Sequence, residues 1–309
     1  MEKEHVLVSE KNYQYVVRKI CVILQINVQK YKIIKNYKLK MRNFFILVAA
    51  FVVSLTMLLT ACKKDENNKN GNTENPEGGN YNNQEYPSTA NVIRKAVADI
   101  DGNIYDAVRI GDQVWMAENL RTTKYADGTA IEEGTYTSYD TPLRYTSSTD
   151  VTVYGYLYNW PAVMHGSNSS TDNPSGVQGI CPNGWHVPSD AEWTQLTNYV
   201  SSQSQYVCGE VNSYIAKALA YTTGWSSSYN TCAVGNDPSA NNATGFSAFP
   251  AGYYDGYCDC FFDGASFWSA TENNDNYAYI RYLRYYHADV YRGNDGFKDD
   301  ELSVRCVRD

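Results

Sequence analysis

Few side chains in this sequence could act as an acid, a base or a nucleophile. The chain holds four histidines, and His186 is the candidate general base because it lies in the patterned segment 184–188, GWHVP. A histidine base needs a nucleophile, an acid or a metal within hydrogen-bond reach, whereas the residues around His186 are of structural type. We therefore interpret His186 as a structural histidine. We expect no catalytic residue, no cofactor and no enzymatic activity.

Cys62 is the side chain with the clearest chemistry. Residues 41–61 begin with Met-Arg, continue as an apolar run and end in Leu-Thr-Ala directly before this cysteine. A positive start, an apolar run and small residues before a processing site are the pattern of a secretory signal peptide. Because this one ends at cysteine, it resembles a bacterial lipobox. We expect cleavage before Cys62 and a lipid on its sulfur as the membrane anchor; the alternative is a transmembrane helix, for which the run is almost long enough.

The segments on both sides of this signal differ from it in composition. Residues 1–40 show no clear period, and we expect translation to begin at Met41. The acids of KKDE at 63–66 resemble the surface-export signal of Bacteroidetes lipoproteins, which implies an outer-membrane location facing the cell exterior. Residues 62–88 contain so few apolar side chains that burial cannot offset the entropy of ordering them. We expect a disordered tether there and one folded domain over 89–309.

The charge of the exported part narrows the class of partner. Residues 1–61 hold ten of the 26 Lys/Arg and three of the 34 acids, so the remainder has 16 basic and 31 acidic residues, a net charge of −15. An acidic protein gains neither counterion release nor steering at nucleic acid or anionic membrane surfaces, and we exclude both as binding partners. The 28 tyrosines, with many Ser, Asn and Gly, resemble the composition of binding surfaces, although strands also favour tyrosine.

Turn and cap signals predict short antiparallel strands, two helices and long loops. Asp-Gly-Asn at 101–103 and Gly-Asp at 111–112 separate β-prone runs, which predicts two tight hairpin turns. The first turn also begins like a calcium loop, but Ile110 stands where the twelfth-position glutamate is needed. Further strands are expected at 245–249, 267–271, 278–286 and 302–307.

The clearest helix signal is a capping box. Ser189 is a candidate N-cap, and Glu192 stands three residues later, where its side chain can reach back to the backbone of the cap. Trp193, Leu196 and Val200 follow at the spacing of one helix face. A second, short helix is expected around 214–220.

Six segments in order carry a resemblance to a known family. They are VRIGDQVWMAENL at 108–120, YGYLYNWP at 154–161, GICPNGWHVP at 179–188, GFSAFPAG at 245–252, FWSAT at 267–271 and SVRCVRD at 303–309. Together they resemble the Fibrobacter succinogenes major paralogous domain, found in secreted and lipid-anchored proteins of Bacteroidetes and relatives. The resemblance covers about 98–309. The segment 185–193 and the closing Val-Arg-Cys-Val strand are also similar to the C-type lectin-like fold. The implied class is therefore α+β, and because the family has no assigned activity, no function follows from the fold.

This resemblance implies one disulfide. Without Cys21 and the lipidated Cys62, six cysteines remain, an even number as expected for disulfides in an exported domain. Cys181 and Cys306 both lie in family-like segments, and a lectin-like fold brings its closing strand beside the first helical region. Such a bridge would close a loop of about 125 residues and stabilise the fold by roughly 4–5 kcal/mol in the loop-entropy model.

The other four cysteines leave alternatives open. Cys258 and Cys260 are too close in sequence for a relaxed mutual bridge, so we expect their partners to be Cys208 and Cys232. The alternative is a zinc site at Cys258 and Cys260, completed by His287 or another cysteine, although the usual ligand spacing is absent. We predict no metal site.

Aromatic side chains among Gly, Asn and Asp after Gly252 are the candidates for ligand binding. Aromatic faces beside short polar groups suit sugar rings or protein surfaces. The candidate ligand-binding residues are Tyr254, Tyr257, Trp268, Glu272, Asn274 and Tyr285. The oxygens of 272–275 could also meet calcium, but no lectin calcium motif is present and a solvated loop explains them.

These observations predict a surface lipoprotein whose extracellular domain binds a glycan or a protein without catalysis. The lipid bilayer is its other partner, through Cys62. The alternative is a structural or adhesive envelope component without a small ligand. A pocket lined by polar groups favours the first function, and a flat, self-associating tyrosine-rich face favours the second.

Overall fold

The structure is a computed structural model that describes residues 84–146, 150–256 and 261–309, together with the backbone of Asn80 and Tyr81. Its strands, in chain order, are β1 (Asn80–Tyr81), β2 (Asn91–Ala98), β3 (Asn103–Ile110), β4 (Gln113–Met116), β5 (Glu132–Glu133), β6 (Leu143–Tyr145), β7 (Leu157–Asn159), β8 (Trp185–His186), β9 (Gly264–Glu272), β10 (Tyr277–Arg284), β11 (Tyr291–Phe297), β12 (Glu301–Leu302) and β13 (Val307–Arg308). Its helices are α1 (Val151–Tyr154), α2 (Trp160–Met164), α3 (Asp190–Ser202) and α4 (Ala216–Leu219). The class is a sheet-rich α+β, as predicted.

In the described ranges the strands form three sheets. The first has the order β1-β3-β4-β13-β8, with β2 also paired to β3; the second has the order β12-β7-β6-β5; the third has the order β11-β10-β9. Most pairs are antiparallel, but β1 with β3 and β5 with β6 are parallel. The closing strand β13 lies between β4 and β8, because Val307 pairs with both Trp115 and His186.

The two predicted hairpin turns are confirmed. Antiparallel strands β2, β3 and β4 are joined through residues 99–102 and 111–112. Asp99 Oδ1 accepts the backbone N–H groups of Asp101 at 3.0 Å and Asn103 at 2.9 Å. The carboxylate therefore closes its own turn, which is the ordinary role of aspartate in a loop of this kind.

Helix α3 begins as its capping box predicts. The Ser189 side chain accepts the backbone N–H of Glu192, and the Glu192 carboxylate accepts the backbone N–H of Ser189 at 3.0 Å. The inward face of the helix buries Trp193, Leu196 and Val200, as the spacing predicted. Helix α4 lies inside the predicted range 214–220.

The prediction of only two helices was wrong, because two short helices before α3 were missed. Helix α2 is capped by Asn159, whose Oδ1 accepts the N–H of Ala162, and Pro161 stands in its first turn. Proline is well tolerated there because its missing N–H has no partner in the helix. Helix α1 is a single turn without a side-chain cap, so no local signal marks it.

The predicted strand at 245–249 was also wrong. Gly245 and Ser247 have left-handed backbones, with φ of +78° and +57°, which breaks an extended strand. The predicted strand at 302–307 is divided into β12 and β13. The predictions at 267–271 and 278–286 correspond to β9 and β10.

Two groups of buried side chains form the core. One includes Met116, Trp185 and the Cys181–Cys306 bridge, and the other is built around Trp115 and Trp193. The ring centroids of Trp115 and Trp193 are 4.5 Å apart. Fully burying a large apolar side chain contributes about 1.5–3 kcal/mol, so this aromatic contact helps to hold α3 on the first sheet.

The disulfides agree with one expectation and correct another. Cys181 is bonded to Cys306, the pair that the resemblance implied, across a sequence separation of 125. Cys208 is bonded to Cys232, whose Cα atoms lie 5.5 Å apart. The expectation that these two cysteines pair with Cys258 and Cys260 was therefore wrong, because each already has a partner. Cys258 and Cys260 lie outside the described residues.

The folded part begins before the predicted boundary at residue 89. Gln84 is 5% exposed, its side chain donates to Ser247 Oγ, and its carbonyl accepts a hydrogen bond from Arg94 at 2.7 Å. The segment 1–40, the apolar run within 41–61 and Cys62 lie outside the described residues. Within the described ranges, the structure has no helix with the length and apolar character needed to span a bilayer.

Candidate functional site

An open groove of about 430 Å³ lies on one face of the third sheet. Strands β9 and β10 place alternate side chains on opposite faces. Ala265 and Phe267 point into the core around Trp193, whereas Ser266 and Tyr282, which are register partners, line the groove. The face opposite Phe267 therefore carries the groove at Ser266 and Tyr282, and farther along β9 the same face is buried in the other core group at Trp268 and Ala270.

Tyrosines and one arginine give the groove its aromatic character. The Arg284 guanidinium lies 4.8 Å from the centroid of the Tyr282 ring and donates to the Tyr286 hydroxyl at 2.9 Å. Tyr282 also contacts Tyr291, with ring centroids 4.4 Å apart. Burial raises the pKa of Tyr282 above its usual value, so its hydroxyl is neutral and can both donate and accept a hydrogen bond. Tyr253 completes the aromatic lining.

Three carboxylates stand around this aromatic floor. Asp263, Asp295 and Asp300 line the groove, against the single positive charge of Arg284. Asp263 Oδ1 accepts a hydrogen bond from Ser226 Oγ at 2.7 Å, which fixes that carboxylate. The groove thus presents ring faces beside hydrogen-bond acceptors, with local negative charge.

The structure separates the predicted ligand-binding residues. Tyr285 lines the groove, and its backbone N–H donates to the Asp263 carbonyl at 3.0 Å. Tyr254 lies beside the groove on a different face, where its ring stacks on Tyr145 with centroids 4.1 Å apart. Tyr257 lies outside the described residues.

Three of the predicted residues do not meet the groove. Trp268 is 1% exposed and donates from Nε1 to the Tyr158 carbonyl at 2.7 Å, so its prediction as a ligand contact is corrected to a core role. Glu272 pairs with Lys298 at 2.7 Å at the end of β9. Asn274 accepts the N–H of Asn276 at 2.9 Å and caps the following turn. These polar groups already serve the hairpin.

His186 is held by two carboxylates. Its Nε2 lies 2.7 Å from Glu192 Oε1 and its Nδ1 lies 2.7 Å from Asp309 Oδ1. Burial lowers its pKa, but the hydrogen bonds and charges of Glu192 and Asp309 outweigh burial, and the net pKa is raised. Because Glu192 also belongs to the capping box, the histidine ties α3 to β8 and to the final residue of the chain. Its contacts are those of a structural cation.

Glu301 is a residue that the sequence did not reveal. It is fully buried, and neither carboxyl oxygen has a hydrogen-bond partner among the residues that the structure describes. Burial raises its pKa to about 8. It follows two aspartates, and a run of acids ordinarily indicates a solvated turn, so no local signal marks it as buried.

The described ranges contain no cluster of three or more His, Cys, Asp or Glu side chains placed to hold a metal ion. The chemistry that this site does support is non-covalent contact through aromatic faces, carboxylates and a hydroxyl-bearing floor.

Comparisons with known proteins give one finding. Neither a search among curated proteins nor a search among solved structures found a match. The sequence model of the Fibrobacter succinogenes major domain matches residues 108–308, which spans the third sheet, the groove and the bridged cysteines Cys181 and Cys306. The chain belongs to the Fibrobacter succinogenes major domain family.

Proposed function

We propose that this protein is a surface lipoprotein whose domain binds carbohydrate, without catalysis, in the groove on the third sheet. The observation that carries the proposal is the composition of that groove. Its volume of about 430 Å³ falls in the range of about 300–1,000 Å³ that is typical of small-ligand sites. A sugar ring has an apolar face that packs on tyrosine and hydroxyls that bind carboxylates, and the groove offers both kinds of group.

The proposed fold is C-type lectin-like. Support comes from the closing strand β13, which pairs with β4 and β8 and is joined by the Cys181–Cys306 bridge to the segment before α3. This arrangement brings the two ends of the family-like region together. Loops of such a domain are then free to form a binding surface over a rigid scaffold.

The proposed location is the outer membrane, with the domain facing the cell exterior and lipid on Cys62. The lipobox-like ending of 41–61 and the acids after Cys62 support it. Cys62→Ser is expected to abolish metabolic labelling with palmitate. Labelling that persists in the variant would contradict the anchor without affecting the binding proposal.

A glycan array with the purified chain tests the binding function. We expect saturable binding whose affinity Tyr282→Ala reduces about five- to thirtyfold, since stacking on an aromatic ring contributes about 1–2 kcal/mol. Tyr229→Ala is the matched control, because Tyr229 is fully exposed and does not line the groove. Equal loss in both variants, or no saturable binding by the wild type, would contradict a carbohydrate site.

One observation favours the second candidate function, a structural or adhesive envelope component. Tyr291 and Phe297, at the two ends of strand β11, are 46% and 41% exposed. In the sheet order β11 stands at an edge, where unpaired backbone groups can receive another strand. Concentration-dependent self-association that Tyr291→Lys abolishes would support this function in place of sugar binding.

A further inference from the structure

The position of Glu301 in the second sheet determines what its side chain faces. Glu301 is the register partner of Asn159 in β7 and forms an antiparallel bridge with Tyr254. Its backbone exchanges two hydrogen bonds with Tyr254, at 2.8 and 3.0 Å. Residues directly opposite one another point to the same face of a sheet. Glu301 and Tyr254 therefore share a face, while Asp300 and Leu302, on the other face, line the groove.

Tyr145 shares this face as well. It is the register partner of Leu157, which lies two residues before Asn159 and so points the same way. The rings of Tyr145 and Tyr254 are stacked, with centroids 4.1 Å apart and an angle of 9° between their planes. Both tyrosines are half-buried. The stacked pair therefore lies on the face of the sheet to which the Glu301 side chain points.

Within the described ranges, no charged group offsets the burial of the Glu301 carboxyl group. The titratable side chains that the described sheet register places on its face are Tyr145 and Tyr254. On the opposite face, Arg144 is already paired with Glu133 at 3.0 Å and lies over the Tyr156 ring. Among the described residues, burial is the cause that raises the pKa of Glu301, with no charged group contributing. A buried carboxyl group without any hydrogen bond is exceptional in a folded protein and requires an explanation.

We propose that Glu301, Tyr145 and Tyr254 form a second binding site, distinct from the groove, that takes a primary alkylammonium group. A carboxylate supplies the counter-charge and three donors of an ammonium group supply its missing hydrogen bonds. Tyrosine faces attract the same cation through their ring quadrupoles. The ammonium enters as the Tyr254 ring moves off Tyr145, and Glu301 then releases its proton to solvent and pairs with the cation.

Titration of the purified full-length protein with n-butylammonium chloride, followed by NMR or calorimetry, tests this site. Because the cation binds the ionised carboxyl group, we expect the affinity to rise about tenfold for each pH unit up to about pH 8 and then to level off. n-Pentanol, of similar size and without charge, is expected not to bind.

Variants separate this site from the proposed carbohydrate site. Glu301→Gln is expected to abolish binding of n-butylammonium, whereas Glu272→Gln, which removes an exposed carboxylate paired with Lys298, leaves it unchanged. Tyr282→Ala, which alters the groove, is also expected to leave it unchanged. The site is overturned if wild-type protein shows no saturable binding at pH 8, or if Glu301→Gln binds as well as Glu272→Gln. Loss of glycan binding in Tyr282→Ala says nothing against it.

Discussion

Replacing Glu301 by glutamine should make the protein more stable at neutral pH. The folded protein holds the carboxyl group with a pKa of about 8 against an ordinary value of 4.5. As the pH rises above 4.5 the unfolded chain ionises while the folded chain keeps its proton, so the free energy of unfolding falls until about pH 8. Between pH 4.5 and pH 7 the free energy of unfolding falls by 1.36 kcal/mol for each of 2.5 pH units, or about 3 kcal/mol in total. Glutamine has the same shape and no charge to lose.

The assay is thermal or urea unfolding of wild type and Glu301→Gln at pH 4.5, 6, 7 and 8. For a domain of this size roughly 2–4 °C of Tm corresponds to 1 kcal/mol, so the variant should melt roughly 6–12 °C higher at pH 7. At pH 4.5 the two proteins should melt together. Glu272→Gln is the control, since its carboxylate is exposed and ion-paired. A difference of Tm that is constant with pH, or a Glu301→Gln protein that is less stable at pH 7, would refute the argument.

Three further predictions follow from the core and its bonds. Replacing Cys208 and Cys232 together by serine removes a disulfide that joins residues 24 apart, and it should lower the free energy of unfolding by about 3 kcal/mol. Peptide mapping of the wild type without reduction should recover the linked pair, and finding either cysteine as a free thiol would contradict the bridge. Trp268→Ala should lower the free energy of unfolding, measured with urea, by about 3–5 kcal/mol. A decrease of less than about 1 kcal/mol would contradict the core role of Trp268. Because the pKa of His186 is raised, its contribution to stability is complete below about pH 6.5 and is lost as the pH rises through its folded pKa. His186→Gln should therefore remove this decline, and an unchanged pH profile of unfolding would contradict the two ion pairs.

The elements that could be predicted from the sequence are those that depend on near neighbours. The capping box of α3 joins Ser189 to Glu192, three residues away, and the first hairpin turn is closed by Asp99 on Asn103. Such signals are complete within one turn of chain. Helix α1 has no side-chain cap. Its formation therefore depends on the surrounding fold, and no short sequence pattern predicts it.

The candidate site could be predicted only in part, because the exposure of a side chain depends on contacts with residues that are distant in the sequence. Trp268 and Tyr282 are aromatic residues on neighbouring strands, yet Trp268 donates to the Tyr158 carbonyl in the core and Tyr282 lines the groove. Tyr282 pairs with Ser266 and Ile280 pairs with Trp268, so both side chains lie on the same face of the third sheet and the alternation along the strands does not separate them. The difference comes from distant chain, because β7 covers that face at Trp268 and leaves it open at Tyr282. Pairing of Cys208 with Cys232 is equally non-local, because it depends on which Cα atoms the loops bring within 6–7 Å.

Glu301 connects the stability of this domain with its proposed function. With glutamine at this position the fold would be more stable by about 3 kcal/mol at pH 7, so the carboxyl group lowers the stability of the domain at that pH. The Cys181–Cys306 bridge contributes about 5 kcal/mol in the loop-entropy model, which is enough to offset that loss. Buried groups with strongly shifted pKa values are concentrated at sites that act on a ligand. Strand β12 places Glu301 on one face and Leu302, which lines the groove, on the other. One short strand therefore supports both proposed sites, and an ammonium group bound at Glu301 would stabilise the segment that carries Asp300 and Leu302 into the groove.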